Sequence, residues 1–439
     1  MSSYVKTTDN LPDELCEPEG FIGALVQHMR QTAEYDLPEF FLGAALSLLS
    51  VITARKIEDY RGSRTNLYSV AIGPTGCGKE HARKINRSLL SATQLEGPGK
   101  FTSGSAIVSA LDIQPALLCM VDEIGSYLKA ACSEKAPPHL AQVVSVLTEA
   151  FTSSGSVWRP QGYADVKNSK TIDQPSLTLY GTTTSSTFFE GLNSNSIESG
   201  FLGRVLVFLS PGGGYVRCQE FEQFPVPERI TAFVQRWLDV PHGPGNLSAS
   251  SPMPSVLKIT PEARLRLKGH FFQIADQRIG EEPTAAAIWS RTAEKTSKLS
   301  MLACISRSSN EISIQDADYG IAVANFLTRR MVSLIHGNIA TSKHEANVQR
   351  VLKIINDAGG VISLNELSRK CQWLPPKERL MITAQLQETN QLLPCGRMTK
   401  TKQANGLGTS IHAITEGGWI YISPEMIAEA QKAKQEAGH

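Results

Sequence analysis

Ala71-Ile-Gly-Pro-Thr-Gly-Cys-Gly-Lys-Glu80, AIGPTGCGKE, is the stretch that decides the fold of this 439-residue chain. Gly73, Gly78 and Lys79 fit the pattern G-x-x-x-x-G-K-[ST] up to its last position, where Glu80 stands in place of a hydroxyl. Such a loop needs glycines so that backbone N–H groups close around phosphate oxygens with no Cβ in the way. It needs the lysine to neutralise the outer phosphates. Gly73, Pro74, Thr75, Gly76, Cys77, Gly78, Lys79 and Glu80 are therefore the candidate nucleotide-binding residues.

The flanks suit that reading. An apolar run, NLYSVAI (66–72), predicts a strand leading into the loop, and EHARKINRSLLSATQ (80–94) predicts a helix leading out of it. Downstream, ALLCMVDEIG is an apolar strand ending in Asp122-Glu123. An aspartate there can hold Mg²⁺ through water, and the adjacent glutamate can polarise an attacking water. Two further runs, SLTLYG (176–181) and RVLVFLS (204–210), complete an alternation of strands and helices. The expected fold class is α/β, a parallel sheet with helices on both faces.

Composition narrows the class. Hydrophobic residues make up 41% and charged residues 19%, as in a globular protein rather than a disordered one. The net charge of +1 gives no general affinity for nucleic acid, so a nucleic-acid surface requires local concentration of basic residues. The eight cysteines form no C-x-x-C pair, which argues against a zinc site or a disulfide framework. The start is polar, with Asp9, Asp13 and Glu14 ahead of any apolar run, and reads as no signal peptide. Phe40 to Ala54 is apolar but shorter than the roughly 20 residues a bilayer demands. The expectation is a cytoplasmic protein with no membrane partner.

The chain divides, on pattern, into a helical N-terminal region (1–60), the α/β core (61–240), a Pro/Gly/Ser-rich linker (241–254), a helical lid (255–340) and a C-terminal part (341–439). The last has the order helix, strand, helix, helix and hairpin expected of a winged helix. Its basic residues Arg369, Lys370, Lys377, Arg379, Arg397, Lys400 and Lys402 outnumber Glu366, Glu378 and Glu388.

The order of these motifs resembles the AAA+ ATPases, and among them the phage- and plasmid-encoded replication ATPases, over about residues 20–340. The resemblance implies ATP and Mg²⁺ at the loop, with Asp122 and Glu80 near the metal, Lys79 on the phosphates and Glu123 activating water. It makes Thr183, in SLTLYGTTTSS, the polar sensor 1 at the end of the strand that follows the one ending in Asp122-Glu123, with Thr182 and Thr184 close by. ESGFLGRVLVF resembles the element carrying an arginine finger, which makes Arg204 the residue acting on a neighbouring subunit; Val205 departs from the usual Phe. Arg291 looks like sensor 2 of the lid. The enhancer-binding activators, which are active AAA+ ATPases, carry the same Gly-Lys-Glu ending, so the resemblance implies an active enzyme despite Glu80.

The segment 154–176 holds two extended arms with Trp158 and Tyr163 and a basic turn at Lys167 and Lys170. In related helicases a hairpin at this place grips single-stranded DNA, and an aromatic can stack on a base while a lysine follows the phosphates. Trp158, Lys167 and Lys170 are thus candidate DNA contacts. Arg379 on the third helix of the C-terminal part, and Arg397, Lys400 and Lys402 in its wing, are candidates for duplex DNA. The resemblance implies a homo-oligomeric ring, a hexamer, acting as a helicase or translocase in replication of a phage, prophage or plasmid. The alternatives are a non-helicase loader, regulator or remodeller, and a nucleotide-gated origin binder.

Overall fold

The computed structural model describes residues 10–132, 136–160, 170–191, 200–210, 224–240, 253–338, 343–358, 361–388, 392–395 and 418–421. The chain forms two compact units, Met1–Ile339 and Ala340–His439.

The strands that matter in the first unit are β1 (Tyr68–Ile72), β2 (Ala116–Val121), β3 (Val157–Trp158), β4 (Ile172–Asp173), β5 (Ser176–Thr183) and β6 (Val205–Leu209). β1, β2, β5 and β6 form a parallel sheet in the order β2-β5-β1-β6. β1, β2 and β5 are buried at every residue, because helices cover both faces. Successive side chains point to opposite faces, and two apolar clusters divide the strands accordingly. Ala71, Leu118, Met120, Tyr180, Leu206 and Phe208 face one way. Val70, Ile72, Leu117, Cys119, Val121, Leu179 and Val207 face the other.

The helices used below are α1 (Phe21–Thr32), α2 (Pro38–Ile52), α3 (Glu80–Leu90), α4 (Gly104–Ile113), α5 (Ile124–Cys132), α6 (Pro138–Thr152), α7 (Thr292–Ser306) and α8 (Ile314–Asn338). Pro38 occupies the first turn of α2, where no N–H is needed, and every later residue of the helix is buried. A helix apolar all round belongs in a core, not on a surface. α2 lies against the sheet so closely that a Cβ on Gly43 would come within 2.8 Å of the Phe208 ring.

The N-terminal helices α1 and α2 share one apolar cluster with the sheet. α7 and α8 join the same cluster through Leu299, Leu302, Ala324 and Leu327. Ser255–Val256 pairs in parallel with Ile57–Glu58, which ties the chain after the expected linker back to the chain before the core. Linker residues 241–252 lie outside the described residues.

A buried ion pair joins these pieces. Glu39 of α2 accepts from both terminal nitrogens of Arg330 on α8, at 2.9 Å for Nη2, and Arg330 is 0% exposed. Its oxygens also accept from the backbone N–H groups of Leu11 (2.7 Å) and Leu209 (3.0 Å).

The second unit has the order helix Lys343–Asp357, strand Val361–Ser363, helices Leu364–Lys370 and Pro376–Glu388, then strands Leu392–Cys395 and Gly418–Tyr421. Gly418–Tyr421 lies between the other two strands, antiparallel to both. Val351, Ile355, Ile362, Leu367, Ile382 and Leu386 form its own core.

Glu39→Ala removes the carboxylate that holds both terminal nitrogens of the buried Arg330 guanidinium, and a loss of about 3–5 kcal/mol in denaturant-measured stability is expected. The double variant Glu39→Leu with Arg330→Met, which removes both charges, recovers most of that loss.

Candidate functional site

The loop 73–79 leaves the C-terminal end of β1 and enters α3. Gly76 and Gly78 take left-handed φ angles of +79° and +83°, where a side chain is strained. The Gly73 N–H donates to Thr183 O at 3.0 Å, which fixes the loop's entry against β5. Cys77 points inward and is fully buried, and burial pushes its thiol above its ordinary pKa. Its role is packing under the loop.

Because β1, β2 and β5 are parallel and in register, their C-terminal ends bring Gly73, Asp122 and Thr182-Thr183 to one edge. The Lys79 ammonium donates to Gly73 O at 3.2 Å and stands 3.7 Å from Glu123 Oε1. Glu123 has φ +48°, an uncommon conformation for a residue with a side chain, and its carbonyl accepts from Ser126 N to start α5. Asp122 Oδ1 accepts from Thr182 Oγ1 at 2.8 Å and from Glu123 N at 3.1 Å, while Oδ2 faces Arg83 Nη2 at 3.1 Å. Burial alone would raise the Asp122 pKa. The hydrogen bonds from Thr182 and Arg83 outweigh it and hold the carboxyl below its ordinary value.

Thr182, rather than Thr183, therefore touches the carboxylate. The reason is strand alternation. Thr182 is in register with Ala71 and Thr183 with Ile72, which belong to opposite faces of the sheet. Thr183 Oγ1 instead accepts from Gly125 N at 3.2 Å and meets Thr187 Oγ1 at 2.8 Å, anchoring α5.

These groups open onto a cavity of about 510 Å³, large enough for a nucleotide. One wall is the loop, Glu80, Arg83 and the two carboxylates; the other is the segment after α1, with Thr32 and Tyr35. Tyr35 lies on the loop, its Cδ2 3.2 Å from where a Gly78 Cβ would be. Thr32 Oγ1 meets His81 Nε2 at 2.9 Å and ties α1 to α3. Tyr35, His81, Arg83 and Thr182 were not among the expected site residues. Arg83 had a signal, because with Ala82, Asn86 and Leu90 it falls on the buried stripe of α3. Tyr35 had none.

Asp122, half exposed at the mouth of the cavity with both oxygens already hydrogen-bonded, suits outer-sphere contact with Mg²⁺, which keeps much of its water. Glu80 lines the cavity, but its carboxylate turns along the helix to Lys84 at 3.7 Å, not toward Asp122.

Arg204 and Arg291 are not at this edge. Arg204 precedes Val205, which pairs with Tyr68 at the start of β1, so it sits at the opposite end of the sheet. Its side chain is folded inward and 5% exposed, donating to Gly200 O at 2.8 Å and Thr152 Oγ1 at 2.9 Å. Burial, then the nearby Arg291 charge, lower its pKa. Arg291 Cγ lies 3.2 Å from where a Gly203 Cβ would be, and its guanidinium faces Glu294 at 3.4 Å. Arg291 is thus Arg204's neighbour and not a residue of the loop's cavity. Lys295 completes this end, donating to Val205 O at 3.0 Å with its pKa pushed down to about 7 by burial.

The expected DNA contacts fare unevenly. β3 and β4 do pair antiparallel as the base of a hairpin. Trp158, however, is 5% exposed and its Nε1 donates to Glu149 Oε2 at 3.4 Å, so its ring is part of the core. Lys170 is engaged by Asp112 at 3.0 Å and Ser109 at 3.3 Å. Arg379 donates to Ser368 O at 3.4 Å, linking two helices of the second unit. Tyr163, Lys167, Arg397, Lys400 and Lys402 lie outside the described residues. Among the described residues no cluster of side chains could hold a metal by itself, and no helix is long and apolar enough to cross a membrane.

No protein-family model matches the sequence, and no curated protein matches it significantly. Among solved structures the chain is similar to a full-length MCM homolog from Methanopyrus kandleri, at 15% identity and a TM-score of 0.38. The match covers 73% of this chain and 61% of that one.

Gly76→Ala and Gly78→Ala share the cost of a left-handed backbone, about 1–2 kcal/mol. Only Gly78→Ala also meets Tyr35, since nothing lies within 4 Å of a Gly76 Cβ. Urea denaturation of the two variants is expected to show the larger loss at Gly78.

Proposed function

We propose that the chain is an ATP hydrolase of the AAA+ type that assembles into a ring, a hexamer, and moves along or unwinds DNA during replication of a phage, prophage or plasmid. The carrying observation is the convergence of Lys79, Asp122 and Glu123 on one cavity, with Arg204 and Arg291 at the far end of the same sheet. A site whose cations are split between two ends of one protomer is completed by a second copy, whose Arg204 end would meet the first copy's cavity.

In that arrangement the loop's N–H groups and Lys79 hold the phosphates, and Glu123 takes the proton of the attacking water. Thr182 and Arg83 keep Asp122 ionised and oriented. Mg²⁺, carried by Asp122 through water, would neutralise charge on the phosphates. Arg204 acts in trans on the transferred group, and Arg291, at the same end of the protomer, faces the same neighbouring copy. The order of elements in the second unit suits a winged helix that contacts duplex DNA. The hairpin grip on single-stranded DNA rests on Lys167, since Trp158 is buried and Lys170 is paired.

Those two losses favour one competing reading, an ATPase remodelling a protein client. Unwinding of a forked duplex, present or absent, separates the two.

Steady-state ATP hydrolysis with and without single-stranded DNA is the test. Wild type is expected to turn over and to be stimulated by DNA. Lys79→Ala abolishes turnover, Glu123→Gln lowers it about 10²–10⁴-fold and Arg204→Ala about 10³-fold or more. Mixing Arg204→Ala with wild type poisons the rings. Thr182→Val is expected to cost more turnover than Thr183→Val. A wild type that binds ATP but turns over no faster than Lys79→Ala would sink the proposal.

A further inference from the structure

Two features of the cavity stand together. Glu80 replaces the hydroxyl that a phosphate-binding loop ordinarily offers to a metal, and its exposed carboxylate stands 3.7 Å from Lys84. One turn further along α3, Arg83 reaches into the cavity with its residue 9% exposed and places Nη2 3.1 Å from Asp122 Oδ2. Arg83 is held on the buried face of the helix, next to Asn86, whose Nδ2 donates to Ala44 O at 2.9 Å. The guanidinium is therefore fixed by its stem, while among the described residues its head has a single ion-pair partner, Asp122. Its buried Nε has no acceptor among the described residues.

The other oxygen of Asp122 is taken by the Thr182 hydroxyl and the Glu123 N–H, both neutral donors. The only full positive charge on this carboxylate within ion-pair distance, among the described residues, is Arg83. A cation at that distance neutralises the carboxylate and repels any second cation brought to the same oxygen. Lys79 lies on the other side, toward Gly73 O and Glu123, and does not share the task.

We propose that Arg83 is a positioning residue that competes with Mg²⁺ for Asp122, so that this chain's own guanidinium sets how much divalent metal the nucleotide site requires. The inference rests on the nucleotide reading above and adds to it a residue that the loop pattern does not contain. Its consequence is a site that takes up nucleotide readily but metal weakly, and whose turnover follows the free Mg²⁺ concentration.

The test measures metal binding rather than activity. Full-length protein is saturated with a non-hydrolysable ATP analogue, and Mn²⁺, standing in for Mg²⁺, is titrated while free Mn²⁺ is read by electron paramagnetic resonance. Arg83→Gln is expected to bind Mn²⁺ about tenfold more tightly than wild type, equivalent to about 1.4 kcal/mol. Arg83→Lys keeps the charge and should stay near wild type; should it bind as tightly as Arg83→Gln, competition by charge is overturned. In an Asp122→Asn background the gain from Arg83→Gln should vanish, and a gain that survives there also overturns the proposal. Equal or weaker Mn²⁺ affinity in Arg83→Gln, with analogue binding in the absence of metal intact, overturns it directly. If wild type binds no analogue in either condition, behaving as Lys79→Ala does, the nucleotide reading itself fails and takes this inference with it.

Discussion

The first unit is organised around one carboxylate. Glu39 lies beneath the sheet on α2 and receives Arg330 from α8, the Leu11 N–H from the N-terminal segment and the Leu209 N–H from the end of β6. A buried charge is tolerated only when its partners are supplied in full, and these come from the beginning, the middle and the end of the unit. That is why residues that differ in pattern pack as one body. The helices before the loop are not an appendage; they form the floor on which the loop rests. Phe40, the residue after Glu39, touches the loop itself, with its Cζ 2.9 Å from where a Gly73 Cβ would be.

Parallel strands then do the sorting. All four sheet strands run the same way, so their C-terminal ends collect Gly73, Asp122 and Thr182, and the start of β6 carries Arg204. Arg204 is separated from Lys79 and the two carboxylates by the length of the strands. The chain cannot bring Arg204 to its own Lys79 without unmaking the sheet. Physical separation of this kind favours a site shared between copies over one closed within a protomer.

What was legible in the sequence was what is local. The loop, its strand and helix, and the carboxylates at the end of an apolar run each depend on residues near one another, and the backbone follows them. Which of the two threonines meets Asp122 was not legible, because in a strand a single residue changes the face. Arg291, which looks like sensor 2 of the lid, lies next to Gly203 and Arg204, since a helix stripe identifies a buried face without saying what it is buried against. Trp158 shows the same limit: an aromatic on a hairpin arm reads equally as a stacking platform or as core, and Glu149 decides for core. Tyr35 could not be found at all, as its place on Gly78 arises from the packing of α1 on α3. Arg83 could have been, since a charged residue on the apolar stripe of a helix asks for a partner.

The inward fold of Arg204 constrains how it could work. Its two hydrogen bonds, to Gly200 O and Thr152 Oγ1, are each worth about 1.5–3 kcal/mol for a charged donor. Leaving them for a phosphate on another subunit is favourable only if that phosphate and the new interface offset both. Thr152 is also the last residue of α6, and the turn Ser153–Gly155 leads from it directly into β3 of the hairpin. The Phe151 ring beside it has the Arg204 guanidinium 5.9 Å from its centre and the buried Lys298 ammonium at 4.8 Å. The hairpin base is held from the other arm as well, where Arg64 donates to Gln174 Oε1 at 2.7 Å. Arg204 and the hairpin thus share one attachment point, the C-terminal end of α6. In the proposed ring, an exchange of partners by Arg204 would free the Thr152 hydroxyl, and the hairpin is the next element along the chain.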